Sequence, residues 1–232
     1  MSLPKIPAKD QRIILIVPYG VEESGLIVFA ERLYSEFRRK NVYTSLLTIG
    51  SGSNIMDAHY KNFSNQKEIG SWLVNQTERF DIVFWLGFFQ TLEDLNDQID
   101  LSALLKSQGK RIFFLWERTG NKIVVPDKKL LDNLTNSATN GFFLLNEEQY
   151  QDAISLSLPS DLIHMVRLGV DTHHFKPVWS KGKKTEIQRS LNLPVDKRIV
   201  LWMGRFVERK RLDFLINTWI VNLRLGHVLS FF

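Results

Sequence analysis

Short runs of branched apolar residues alternate with amphipathic stretches along most of this chain, and that alternation restricts the fold more than any other feature. Arg12-Ile-Ile-Leu-Ile-Val17, closed by Pro18 and Gly20, is continuous rather than alternating, the pattern of a strand buried on both faces of a parallel sheet. Beyond it Leu26, Phe29/Ala30, Leu33 and Phe37 recur at helical spacing with Glu31, Arg32, Glu36 and Arg38 between them. The unit then repeats, with strands expected at 43–49, 80–86, 111–116, 142–145 and 163–168. The helices expected between them are 67–76, 92–107, 128–137 and 147–156. Such a series predicts right-handed crossovers covering both faces of a parallel sheet, an α/β Rossmann-like domain over residues 1–168.

The pattern changes after Gly169. Residues 169–184, with Pro177 and Lys181-Gly-Lys-Lys184, have no periodicity and are expected to be a hinge or linker. A helix is expected at Thr185–Leu191, ending before Pro194, and a buried strand at Arg198–Met203. The loop 204–211 then leads into a helix with Leu212, Leu215, Ile216 and Trp219 on one face. Residues 185–232 therefore read as the opening of a second Rossmann-like domain. One strand cannot form a sheet, since its backbone donors and acceptors would lack partners. The tail 220–232 fits neither a helical stripe nor strict alternation, and stays open between a short edge strand and a truncated or out-of-frame end. The expectation adopted is an incomplete second domain whose exposed edge favours association.

With 44% apolar and 24% charged residues the chain can bury a core, which excludes a disordered or collagen-like polymer. It holds no cysteine, so disulfides, thiolate metal sites and cysteine nucleophiles are excluded, and a reducing, cytoplasmic setting is expected. The first ten residues lack the apolar stretch of a signal peptide, and no window reaches the length of a membrane span. Adjacent His173 and His174 do not converge on one ion, so no metal is expected. Asn62, Asn75 and Asn133 match the glycosylation pattern with no secretion signal beside them, and are expected to match by chance. Trp72, Trp85, Trp116, Trp202 and Trp219 stand in apolar runs and are expected in the core. Gly20-Val-Glu-Glu-Ser-Gly25 lacks the G-x-G-x-x-G of a dinucleotide-dependent dehydrogenase.

Charge is unevenly placed. Residues 1–166 carry 17 Lys+Arg against 20 Asp+Glu, a net −3, whereas 167–232 carry 13 against 5, a net +8. A positive field of that kind suits a polyanion or a phosphate-bearing small molecule. No aromatic platform or reader motif accompanies it, so nucleic acid is not the expected partner. The most informative stretch within it is Gly204-Arg-Phe-Val-Glu-Arg-Lys-Arg211, between an expected strand and an expected helix. Free N–H groups at a helix start, joined by Arg205 and Lys210, suit a diphosphate; taken alone, the same pattern also fits a solvated turn.

The loop stands in company. Leu168-Gly-Val-Asp-Thr-His-His-Phe-Lys-Pro177, Leu191-Asn-Leu-Pro-Val-Asp196, the run Ile199–Met203 and the Gly-Arg loop together resemble the hinge and second-domain opening of family 4 (group 1) glycosyltransferases. Phe143-Leu-Leu-Asn-Glu-Glu-Gln149 is similar to the step preceding that hinge, and Thr119-Gly-Asn121 resembles a small polar loop of some members. The resemblance is tight over roughly 143–219 and architectural elsewhere. It implies a GT-B arrangement of two Rossmann-like domains, with an acceptor-side and a donor-side half. It also implies transfer of a hexosyl group from a UDP- or GDP-sugar, with retention and without a bound metal or tightly held cofactor. The acceptor would be an unknown glycan, lipid or small molecule, and a peripheral membrane contact is a further expectation. Matching the family's motif positions, Arg205 and Lys210 would stabilise the departing diphosphate, with Gly204, Arg205, Lys210 and Gly25 at the donor.

Departures from the family pattern qualify this reading. Arg211 stands where the family has glycine after the lysine, and the first loop lacks the usual glycine pair. Trp116-Glu117-Arg118 replaces a histidine that many members place after that strand; Glu117 either faces the cleft as a catalytic carboxylate or pairs with Arg118 or Arg111 at the surface. No residues correspond to the paired glutamates of the family's donor half. The alternative expectation is a truncated, catalytically silent chain acting as a binding or partner subunit.

Overall fold

The computed structural model describes residues 11–20, 25–50, 59–88, 91–116, 128–167, 169–172, 175–196, 199, 202, 204 and 208–222. By its internal contacts the chain divides into Met1–Leu168 and Gly169–Phe232, here unit 1 and unit 2.

Unit 1 runs β1 (Arg12–Gly20), α1 (Gly25–Arg39), β2 (Tyr43–Gly50), β3 (Tyr60–Phe63), α2 (Gln66–Asn75) and β4 (Ile82–Trp85). It continues α3 (Leu92–Ser107), β5 (Arg111–Leu115), α4 (Lys128–Asn133), β6 (Gly141–Leu144), α5 (Glu147–Ser155) and β7 (Ile163–Met165). All seven strands are parallel in the order β3-β2-β1-β4-β5-β6-β7. The fold is thus α/β and Rossmann-like, and its strand order reverses at β1 and β4, the crevice where such sheets receive ligands.

Alternate β1 side chains serve two cores. Ile14 and Ile16 join α2 and α3 residues, including Ile69, Leu73, Leu95 and Ile99, while Leu15 and Val17 pack with Leu26, Ile27, Ala30 and Tyr34 of α1. The first core contains an aromatic cluster. Phe114 stacks on Phe88 and Trp85 with centroids 5.1 and 6.4 Å apart, and Trp116 meets Phe142 edge-on at 5.5 Å.

Several elements differ from expectation for local reasons. β1 continues past Val17 to Gly20, but its pairing with β2 shifts register after Val17, where Pro18 has no N–H to donate. β3 was not expected; it is four residues long with no buried side chain, so it carries no apolar signal. It is fixed to β2 by polar groups: the Thr48 hydroxyl donates to Asn62 Oδ1 at 2.9 Å and lies 2.8 Å from the Tyr60 hydroxyl, and the Asn62 amide donates to Gly50 O. The helix expected at 128–137 widens into a π turn at Leu134–Ala138. There the Thr135 and Ser137 hydroxyls bond back to Leu131 O at 2.9 Å and Asn133 O at 2.7 Å, competing with the backbone ladder. β7, expected to reach 168, ends at Met165 as a three-residue edge.

Unit 2 contains α6 (Lys181–Ser190), a one-turn 3-10 helix at Glu208–Lys210 and α7 (Leu212–Asn222). α6 starts four residues ahead of the expected helix because Ser180 caps it, its hydroxyl accepting from Lys183 N at 3.4 Å. Ile199 and Trp202, the described residues of the expected strand 198–203, lie in no strand, and no strand occurs among the described residues of unit 2.

Candidate functional site

Gly204 and Lys210 come together at the start of α7. A β-carbon on Gly204 would lie 3.3 Å from the Trp202 ring and 3.5 Å from the Lys210 stem, so it would touch the lysine stem and press the indole back by a few tenths of an ångström. The Trp202 indole N–H donates to Lys210 O at 3.2 Å and clasps the loop across eight residues. Trp202 is half-buried, which corrects its expected place in the core: an indole carries one donor and an apolar body, and here both act on the loop. Trp85 and Trp116 are buried as expected, Trp72 is partly buried against Phe63 and Lys61, and the Trp219 side chain lies outside the described residues.

Arg211 N donates to Glu208 O at 2.8 Å, closing the short turn, and Leu215 N donates to Arg211 O at 3.1 Å, opening α7. Arg211 is therefore the capping residue, yet a guanidinium has no acceptor with which to cap. The contrast with other helices is direct. Asn65, Thr91, Asn146 and Ser180 each accept a backbone N–H at the start of α2, α3, α5 and α6, so their own side chains occupy those ends. At α7 the first-turn N–H groups receive no side-chain oxygen from residue 211, and Lys210 stands exposed beside them.

Arg211 adopts φ +50°, the left-handed region that glycine enters freely. The position where the resembled family carries glycine thus keeps a glycine-like backbone here while bearing a bulky cation. Its guanidinium lies 5.4 Å from the Phe214 ring centroid, and its Nε is 3.9 Å from Asp213 Oδ1.

Gly25 begins α1, and a β-carbon built on it meets nothing within 4 Å, so packing does not require glycine there. At the carboxyl end of β4, Leu86 N donates to Ile16 O at 2.8 Å, and buried Gln98 donates to Gly87 O at 3.2 Å. Gly87 takes φ +118°, which only glycine tolerates without strain. Arg205, Glu117, the loop Thr119–Asn121 and the pair His173–His174 lie outside the described residues. Among the described residues no three His, Asp or Glu side chains gather as a metal site, and no helix is long and apolar enough to cross a membrane.

No protein-family profile matches the chain, and no curated protein matches it in sequence. Solved structures do resemble it. HepE of Anabaena in complex with UDP aligns at a TM-score of 0.63 with 13% identity, covering 90% of this chain and 57% of that one. HepE with UDP and glucose aligns at 0.62 with 14% identity and the same coverage. The UDP-glucose complex aligns at 0.57 with 12% identity, covering 95% of this chain and 68% of HepE. The chain thus spans 57–68% of the length of these HepE structures, and at such identities the similarity establishes the α/β, Rossmann-like fold.

Proposed function

We propose that the chain is part of a nucleotide-sugar-dependent glycosyltransferase of the retaining, family 4 type, transferring a hexosyl group from a UDP- or GDP-sugar to an unknown glycan, lipid or small-molecule acceptor. In this reading unit 1 is the acceptor-side domain of a GT-B pair, and unit 2 is the opening part of the donor side. A cytoplasmic setting, expected from the cysteine-free sequence, is part of this reading. The observation that carries the proposal is the start of α7: backbone N–H groups uncapped by residue 211, Lys210 beside them, and a loop held by Trp202 with Gly204 close against the indole. Similarity in fold to HepE, which was crystallised with UDP and with UDP-glucose, supports it.

Breaking a sugar–phosphate bond leaves negative charge on the departing diphosphate. Fixed cations and N–H groups whose hold tightens as that charge develops lower the barrier, and no metal is needed for this role. Lys210 and, by the motif, Arg205 supply the cations and Gly204 admits the donor phosphates; Gly25 is a further candidate donor-binding residue. Glu117 is the candidate carboxylate on the acceptor side. A fragment of the donor half is expected to bind the nucleotide weakly and to have impaired or no turnover alone.

The test is titration of the chain with UDP and GDP, followed by Arg205→Ala and Lys210→Ala. Binding of one nucleotide that weakens by at least about tenfold in each variant is expected, in line with loss of a charge-assisted contact. Binding of neither nucleotide, or binding indifferent to both substitutions, refutes the placement of the diphosphate. The second reading, a catalytically silent binding subunit, is favoured by Arg211, whose bulk stands where close donor approach calls for glycine. Nucleotide binding without transfer, with transfer gained in Arg211→Gly, would favour this second reading; transfer by the unsubstituted chain would decide against it.

A further inference from the structure

The two edges of the unit 1 sheet are built differently. β3 carries exposed Lys61 and Asn62, and a lysine on an edge opposes pairing with a further strand. β7, the opposite edge, reads Ile-His-Met and is followed by Val166, with Met165 and Val166 48 and 40% exposed. Val166 N donates to Leu144 O at 2.8 Å, so the residues alternating with it, Ile163 and Met165, direct their backbone groups away from β6. The Ile163 N–H is taken by Ser160 O, which leaves the Ile163 C=O and both backbone groups of Met165 toward the open side. His164, at the centre of β7, stands in register with Phe143, their ring centroids 5.5 Å apart. The chain around it is chemically symmetric. Ile163 and Met165 lie one residue away, Leu162 and Val166 two, and the exposed, oppositely charged Asp161 and Arg167 three.

We propose that β7 pairs antiparallel with β7 of a second copy of this chain, about a two-fold axis at His164. In that register the Met165 N–H donates to the C=O of the partner's Ile163, and symmetry repeats the bond. Met165 lies opposite the partner's Ile163 as an apolar cross-strand pair, and Asp161 meets the partner's Arg167 at both ends of the contact. An unrelated peptide could take up the backbone bonds, but a second copy also supplies an arginine opposite each aspartate. The pairing is closed. Each copy uses its β7 once, and the edges left over are the two β3 strands bearing Lys61, so growth stops at a dimer. The contact belongs to unit 1 and is separate from association through the incomplete unit 2. Because the paired segment is short, the dimer is weak and forms reversibly with concentration.

The experiment is sedimentation equilibrium of the full chain over a range of concentrations, with Asp161→Arg, Arg167→Asp and the double variant. A monomer–dimer equilibrium is expected. Each single substitution sets like charges together at both ends and should weaken the dimer about tenfold, whereas the double variant restores opposite charges and should return to within about twofold of wild type. Both positions are exposed, so all three variants should keep the wild-type circular dichroism spectrum and melting curve. A second measurement reads the register directly. The chain has no cysteine, so His164→Cys carries a single thiol. Its two copies would face each other across a non-hydrogen-bonded pair with α-carbons about 4.5 Å apart, within disulfide reach. Mild oxidation should therefore crosslink His164→Cys and leave Lys61→Cys, on the β3 edge, largely uncrosslinked. A monomer at every concentration, or a dimer indifferent to both single substitutions, as association through unit 2 would be, overturns the proposal. So does a double variant no better than the singles, or equal crosslinking at 61 and 164.

Discussion

Arg211 offers a test in which the sign of the effect, rather than its size, carries the information. Its φ of +50° sets the β-carbon against the following carbonyl, at a cost of about 1–2 kcal/mol for any L side chain. Against this, the arginine side chain makes two contacts. Its Nε is 3.9 Å from Asp213 Oδ1 with both side chains nearly two-thirds exposed, worth about 0–0.5 kcal/mol after solvent screening. Its guanidinium stands 5.4 Å from the Phe214 centroid, worth about 0.5 kcal/mol at an exposed site. Arg211→Ala loses both contacts and keeps the strain. Arg211→Gly loses both contacts and relieves the strain, but its unfolded chain is more flexible than alanine's by about 0.4–1 kcal/mol. The glycine variant should therefore hold α7 more firmly than the alanine variant by about 0.5–1 kcal/mol, the reverse of the order at an ordinary position. Leu215 N, bonded to Arg211 O at 3.1 Å, reports this opening directly. Its amide hydrogen exchange should be about two- to fivefold slower in Arg211→Gly than in Arg211→Ala. Equal or faster exchange in the glycine variant refutes the left-handed assignment and, with it, the account of how this loop enters α7.

Two further predictions concern unit 1. Phe114 is fully buried between Phe88, Trp85 and Phe142, and Phe114→Ala should cost about 3–5 kcal/mol in urea unfolding; a loss below about 1 kcal/mol would show that the aromatic stack is not the core. Burial holds the Lys106 ammonium, which donates to Thr139 O, below the ordinary lysine value of 10.5. Between the lowered folded value and 10.5 the unfolded chain binds more protons, so this group adds stability as pH rises through that window. Wild type should therefore gain stability relative to Lys106→Met as pH rises toward 10.5, and a constant or opposite difference would contradict the burial argument.

The order of strands and helices in unit 1 is legible because each element writes its own pattern. A strand covered on both faces must be apolar throughout, as at Ile13–Val17, and a helix covered on one face must repeat every three to four residues, as at Leu26, Ala30, Leu33 and Phe37, which all pack on the α1 side of the sheet. β3 writes no such pattern, because its attachment lies in Thr48, Tyr60 and Asn62, polar residues twelve and fourteen apart that meet only when two strands align. Among these, Asn62 matched a glycosylation signal and proves to be a structural crosslink. The start of α6 was hidden by Lys181-Gly-Lys-Lys184, poor in apolar residues, and is set by one hydroxyl on Ser180.

The site divides in the same way. Sequence alone singled out Gly204, Arg205 and Lys210, because glycine and cations between an apolar run and a helical stripe have a recognisable chemistry. It also marked Arg211 as a departure from the resembled family. The indole of Trp202 reaching Lys210 O, the left-handed backbone beneath Arg211 and the close fit around Gly204 were decided only by tertiary structure. Composition and periodicity are sums over neighbours along the chain, so they determine which elements form. A hydrogen bond across eight residues, or the space left for one β-carbon, depends on positions in three dimensions that no local pattern records.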